Sequence, residues 1–243
     1  MSKPEFVIRK SDRTPAGSLR TSDVRRIRSK LMAQGFIVVP SDTCYSLAAY
    51  AAVDDTHKNI NKILSRGNEP ISVCAANIEE ALKWIDGSNY AAISILEQFT
   101  PGPITLVCNP SEWAQGFSRF FSNTIGDKKG NIGIRISDSL IERDVAATSD
   151  YLITTPAIRD PNNNHSIVTD FARALEIVES GIAAFGGAGW GAIEGDGFLQ
   201  VHSTVVKANR DGTVHLIREG AIPLSEIEVA ARIIPSTLFD DWG

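Results

Sequence analysis

Ser41, Asp42, Thr43 and Tyr45 place four hydrogen-bonding side chains in five positions, directly after an apolar run that ends at Pro40. Polar groups at that density can orient a ligand. The pattern repeats along the chain: Lys62 with Arg66, Thr105 behind Pro101-Gly102-Pro103, Arg135, Thr154 with Thr155, Ser203 with Thr204, and Arg218 before Glu219-Gly220. Hydroxyls and cations recurring in this way suit an anionic, hydroxyl-bearing ligand such as a nucleotide with a small carboxylate. No catalytic triad, metal-ligand cluster or Walker loop is evident. The glycines of residues 186–197 lack a strand–GxGxxG–helix context and read as a flexible loop.

Each cluster needs an element that delivers it to a strand end, where open α/β sheets build ligand sites. Residues 36–39 form an apolar, β-branched run, and Pro40, without an N–H, should stop it. Residues 71–75, 105–108, 132–136, 151–155 and 182–185 read as further strands. Residues 6–8 read as an edge strand, and residues 203–206 and 213–218 as a hairpin around Arg210-Asp211-Gly212. Thr21 or Ser22 can cap a first helix with a stripe of Val24, Ile27 and Leu31, which Gly35 ends. Asp54-Asp55-Thr56 starts a second, with Ile60, Ile63 and Leu64 spaced for burial, and Asn77 caps a third. Helices follow at residues 89–99, within 110–130 ahead of a Gly-Asp-Lys-Lys-Gly loop, and at 140–147. Thr169 caps another that carries Phe171, Leu175 and Val178, and a last one lies near the C-terminus. Helices and strands mixed along the whole length predict one α/β domain around a twisted mixed sheet. Its expected limits are 21–232, between a flexible N-terminal arm (1–20) and a C-terminal tail (233–243).

At 243 residues and 43% hydrophobic, the chain can bury a full core. Its 24 Lys and Arg against 29 Asp and Glu give a net charge of −5, which argues against wholesale wrapping of nucleic acid but allows a local basic cleft. Arg25, Arg26, Arg28 and Lys30 read as a solvated helix face, with RNA contact as the alternative. Cys44, Cys74 and Cys108 are odd in number and far apart. They suggest neither a disulfide framework nor a zinc ribbon, but small buried hydrophobes in a reducing compartment. With no leading apolar segment and no run long enough to span a bilayer, the expected location is the cytoplasm, without membrane contact.

Pro40-Ser41-Asp42-Thr43-Cys44-Tyr45-Ser46-Leu47 resembles the Pro-Thr-Asp-Thr-x-Tyr-Gly-Leu signature of the YrdC-like family, the threonylcarbamoyl-adenylate synthases. Thr100-Pro101-Gly102-Pro103-Ile104-Thr105 is similar to that family's Trp-Pro-Gly-Pro-Leu-Thr segment, and Ile132-Gly133-Ile134-Arg135 to its Val-Gly-Val-Arg strand. Ser203-Thr204-Val205-Val206 and Arg218-Glu219-Gly220-Ala221 match its Ser-Thr-Val-Val and Arg-x-Gly-Ala blocks. The motifs keep the family's order across residues 24–227.

The resemblance implies a single YrdC-like domain, a twisted mixed sheet with flanking helices and a concave ligand cleft. It also implies a reaction related to tRNA modification: an amino acid, usually threonine, combines with bicarbonate and ATP to give a carbamoyl-adenylate and pyrophosphate. ATP is then a substrate, with Mg2+ allowed beside it and no protein metal site. By this resemblance Arg66 and Lys62 are catalytic, and Thr43, Tyr45 and Arg66 contact the amino acid or its carbamate. Ser41, Thr105, Arg135, Thr155, Ser203, Thr204 and Arg218 are expected on the nucleotide side.

This chain also departs from the pattern. Ser65-Arg66-Gly67-Asn68-Glu69-Pro70-Ile71 shortens the family's Lys-x-Arg-Pro…Lys-Pro-Leu loop and puts Glu69 near the expected place of a cation, which should weaken anion binding. Thr155-Pro156-Ala157-Ile158-Arg159 stands for Pro-Ser-Ala-Asn-Arg, so Pro156 and Ile158 remove a hydroxyl and a carboxamide expected beside the nucleotide. Phe185-Gly186-Gly187 replaces Asp-Gly-Gly, and Lys207 replaces an Asp. The departures resemble the YciO-like branch. Three functions stay open: ATP-dependent carbamoyl-adenylate formation, non-catalytic nucleotide or RNA binding, and a carbamoyl-adenylating activity that uses carbamoyl phosphate.

Overall fold

Strands β2 (Phe36–Pro40) and β3 (Tyr45–Tyr50) are buried along their whole length and pair antiparallel, with Val38 opposite Leu47. Pro40 closes β2 opposite Tyr45. The computed structural model describes residues 3–51, 55–67, 69–115, 130–149, 153–186 and 188–236. Within them the hairpin is extended by β1 (Phe6–Ile8), β4 (Val73–Cys74), β5 (Ile104–Cys108), β6 (Ile132–Arg135), β7 (Ile153–Thr154), β10 (Trp190–Ile193), β11 (Thr204–Ala208) and β12 (Val214–Arg218). These form one mixed ten-stranded sheet in the order β1-β10-β2-β3-β7-β4-β6-β5-β11-β12. A separate small hairpin joins β8 (Arg159–Asp160) to β9 (Ser166–Ile167).

The helices are α1 (Thr21–Met32), α2 (Thr56–Ile63), α3 (Ile78–Leu82), α4 (Tyr90–Phe99), α5 (Glu112–Gln115), α6 (Leu140–Ala146), α7 (Phe171–Phe185) and α8 (Leu224–Ala230). Among the described residues no helix is long and apolar enough to cross a membrane.

Where the helices lie decides where a ligand can enter. Around β2 both faces of the sheet are covered. Val38, Leu47 and Trp190 pack with Ile60 of α2 and Val178 of α7, while Ile37, Val39 and Ile193 pack with Ile27 and Leu31 of α1 and Val145 of α6. Burial on both faces explains the continuous apolar run of β2. Across β4, β6, β5 and β11, Ile134, Leu106 and Val206 join a core with Ile95 and Leu96 of α4 and Ile227 of α8. The alternate residues of β5, β6 and β11 point the other way, into a cleft.

Several local expectations need correction. α1 has Arg20 at its N-cap with no side-chain capping bond, and Gln34, not Gly35, takes the left-handed step after it (φ 61°). Asp170, not Thr169, caps α7 by accepting from the Arg173 N–H. Residues 182–185 are not a strand but the last turn of α7. The strand lies within the glycine-rich stretch: β10 is wholly buried between β1 and β2. Gly191 permits this because a Cβ there would run into the Phe6 ring. The helix expected within 110–130 is α5, and residues 116–129, 151 and 152 lie outside the described set.

β1 anchors residues 6–8 in the sheet, with Phe6 and Ile8 buried. Two of the cations read as a solvated helix face, with RNA contact as the alternative, hold it there: Lys30 bonds Glu5 at 2.6 Å, and the Arg26 guanidinium lies 4.5 Å from the Phe6 ring centroid.

Candidate functional site

The open face of β5, β6 and β11 floors a cleft of about 510 Å³. Strand alternation chooses its residues: Thr105 and Val107 come from β5, Gly133 and Arg135 from β6, Val205 from β11. Thr105 is in register with Val205, and Val205 with Arg218 across the β11–β12 pair, so one polar–apolar–cationic row crosses three strands. Thr43, from the turn between β2 and β3, and Arg66, Glu69 and Ser72, from the segment after α2, wall one side. Thr155, Pro156, Ala157 and Arg159 wall another, and His202, Ser203, Ile217 and Arg218 complete it.

Of the residues picked from the sequence, Thr43, Arg66, Thr105, Arg135, Thr155, Ser203 and Arg218 therefore line one cleft. Tyr45, Ser41, Thr204 and Lys62 are not among its lining residues. Tyr45 is one position beyond the turn on a fully buried strand. Its ring packs against Phe171 and Phe198, and its hydroxyl bonds the Gly195 backbone. Ser41 stitches its own turn, its Oγ donating to the Cys44 carbonyl and accepting from the Thr43 and Cys44 N–H groups. Thr204 alternates to the far face of β11, where its Oγ1 donates to the Ile222 carbonyl at 2.7 Å. Lys62 is exposed on α2. Ile158, expected beside a nucleotide, is fully buried in the core under α2 and α7.

Charge is arranged in three groups. The Arg135 guanidinium pairs with Asp42, both side chains almost wholly buried. Burial opposes charge on Arg135, but the neighbouring Glu142 and Asp42 carboxyls outweigh it and raise its pKa. Glu69 bridges two cations, Arg66 Nη2 at 3.0 Å and Arg159 Nη1 at 3.1 Å. Burial pushes the Glu69 carboxyl up, yet the two guanidiniums overcome this and hold it below the usual range. Among the described residues Arg218 hydrogen-bonds Ser203: Nη2 donates to the Ser203 carbonyl at 2.8 Å and to Oγ at 2.9 Å. Burial, and then repulsion from Arg159, Arg135 and Arg66, lowers the Arg218 pKa. An anion beside Arg218 would relieve that repulsion.

The segment that carries Arg66 and Glu69 is built by α2. Ser65 turns the chain at φ 52°, the Arg66 N–H returns to the Asn61 carbonyl at 2.8 Å, and Asn61 Nδ2 holds the Glu69 carbonyl at 3.1 Å. His202 and the apolar wall of Val107, Val205 and Ile217 were not anticipated as site residues. The period-2 offset of Val107 from Thr105 and of Val205 from Ser203 is the sequence signal that points to two of them. All three cysteines are free and buried, and burial pushes the Cys44 thiol up to about 11. None is poised as a nucleophile.

The family model for Sua5, YciO and YrdC, described as "Telomere recombination", matches residues 29–220. The threonylcarbamoyl-AMP synthase of Pyrococcus abyssi is 27% identical over 207 residues, covering 84% of this chain and 56% of that protein. The chain spans about half the length of the first curated relatives it matches, between 43% and 56%. Among solved structures, E. coli YciO superposes with a TM-score of 0.72 at 16% identity, covering 92% of this chain and 99% of that one. P. abyssi Sua5 complexed with L-threonine gives a TM-score of 0.72 at 21% identity, covering 94% of this chain and 61% of that one. These two likenesses concern the fold. The family match extends over most of the chain, including four of the five motifs whole and the fifth as far as Gly220, and the chain belongs to the Sua5/YciO/YrdC family.

Proposed function

We propose that the cleft binds ATP and forms a carbamoyl-adenylate, as a threonylcarbamoyl-AMP synthase does, with the product serving tRNA modification. The observation that carries this reading is the convergence of Thr43, Arg66, Thr105, Arg135, Thr155, Ser203 and Arg218 on one cleft. In the reaction an amine nitrogen bonds the bicarbonate carbon with loss of water, giving a carbamate. A carbamate oxygen then attacks the α-phosphorus, the bond to the bridging oxygen of the β-phosphate breaks, and pyrophosphate leaves. Two anions must approach one another, so the cleft has to supply positive charge and fixed donors.

Arg218, braced by Ser203 and answered by no carboxylate in these contacts, would take the phosphates, with Thr105 and Thr155 beside it. Thr43 and Arg66 would hold the carbamate. Arg135, locked to Asp42, would brace the floor and contribute field rather than a free charge. A Mg2+ ion would arrive on the triphosphate, whose oxygens are its usual ligands.

The test is to incubate the purified protein with ATP, bicarbonate and small amines, with and without a carboxylate, and to measure pyrophosphate. Amine-dependent release is expected. The reading fails if ATP neither binds nor is consumed. A second reading, a nucleotide-binding relative without catalysis, is favoured by Pro156, which brings no side-chain donor to the cleft wall. Tight ATP binding without pyrophosphate would select it.

A further inference from the structure

The four guanidiniums that face the cleft differ in what already answers their charge. Arg135 is closed by Asp42. Arg66 and Arg159 share one carboxylate, that of Glu69. Arg218 bonds the neutral oxygens of Ser203. With these side chains ionised, the corner formed by Arg66, Glu69 and Arg159 carries one net positive charge, where the two guanidiniums alone would carry two.

That difference bears on the substrate, given the carbamoyl-adenylate reading above, on which this inference rests. A carbamate formed on an amine without a carboxylate is a monoanion. One formed on an α-amino acid is a dianion, and its second negative group would meet the Glu69 carboxylate or have to displace it from both arginines. Like charges brought together in a partly desolvated cleft repel strongly enough to reject a ligand. A monoanion needs no such displacement, because Arg66 Nε and Nη1 are buried with no hydrogen-bond partner among the described residues. Those N–H groups can donate to a carbamate oxygen while Glu69 stays on Nη2.

We infer that Glu69 supplies from the protein the carboxylate that an amino acid would otherwise bring, so that the cleft selects a small amine that carries no carboxylate. The chemistry of the step is unchanged: nitrogen bonds the bicarbonate carbon, water leaves, and the carbamate displaces pyrophosphate from ATP.

The probes are L-threonine and 1-amino-2-propanol, which share a skeleton and differ in the carboxylate. Calorimetry, run in bicarbonate at about pH 9 where much of each amine is unprotonated and forms its carbamate, measures the affinity of each for the full chain and for Glu69→Gln, and pyrophosphate release with ATP and bicarbonate is followed in parallel. Glutamine keeps the size and one acceptor oxygen of Glu69 and removes its charge. The wild type should prefer 1-amino-2-propanol by about tenfold or more, and Glu69→Gln should tighten threonine by about ten- to a hundredfold and reverse the order. A wild-type preference for threonine, an order untouched by Glu69→Gln, or no binding of either amine to either protein overturns the inference. A reversed binding order with no pyrophosphate from either protein supports the role of Glu69 and overturns the adenylate-forming reading instead.

Discussion

Pro156 and Ile158 are two positions apart and serve different compartments. Pro156 lines the cleft, while Ile158 is fully buried among the apolar side chains beneath α2 and α7, with its N–H on the Tyr45 carbonyl. Restoring the family's polar pair at both positions therefore has two unrelated consequences. Pro156→Ser adds a hydroxyl where a ligand can reach it and should tighten ATP by about 0.5–1.5 kcal/mol, the net worth of a hydrogen bond. Ile158→Asn loses apolar burial and places a carboxamide in the core, at a cost of about 2–5 kcal/mol. Calorimetric ATP titration and thermal melts of the single variants separate the two. Tighter ATP binding from Ile158→Asn, with an unchanged melting temperature, would show that this side chain faces the ligand.

At the scale of elements, α2 and α7 set the position of the segment that carries Arg66 and Glu69. Gly181, within α7, lies against the end of α2. A Cβ there would be 2.9 Å from the Ile63 carbonyl carbon and closer still to its oxygen. Glycine is a poor helix former, and here it permits a close backbone approach that alanine would block. Gly181→Ala should force the helices apart and destabilise the protein by about 1–3 kcal/mol, despite alanine's better helix propensity. Because Arg66 follows directly from α2, the same variant should weaken carbamate-side binding more than nucleotide binding. Equal stability with unchanged amine affinity would mean that the α2–α7 contact does not position the segment.

For the molecule as a whole, the covered half of the sheet and the open half have different tasks. Helices on both faces pack against β2, β3 and β10, while β5, β6 and β11 keep one face free for a ligand. A ligand held across that face bridges β6, β5, β11 and β12, so binding should stabilise the native state globally. At a hundredfold excess over its dissociation constant, ATP should add about 2.7 kcal/mol, read as a rise in the thermal midpoint. Arg218→Ala should weaken ATP by about 1.5–3 kcal/mol, the value of a hydrogen bond to a charged group, and shrink that rise at the same ATP concentration. A full rise in the variant would place the phosphates elsewhere.

The amino-acid sequence by itself determined the class of the fold and the chemical character of the cleft. Apolar runs bounded by Pro, Gly and capping residues mark most strands and helices through local sterics and periodicity, and clusters of hydroxyls and cations at their ends remain visible without coordinates. The Val-rich β2 and the Asn-capped α3 and α4 are of this kind. Residues 182–185 and β10 were not legible. A short apolar run at a helix end looks like a strand, and a glycine-rich strand looks like a loop, until Phe6 is seen lying over Gly191. Tertiary structure alone decided which face each polar residue takes. Thr204 and Ser203 are neighbours in the chain, yet only Ser203 lines the cleft, because alternation assigns faces relative to a register and to whichever side the helices cover. It alone also brought Glu69 to Arg159, 90 residues away. An ion pair that distant leaves no trace in local spacing, and it changes the net charge that the cleft wall presents.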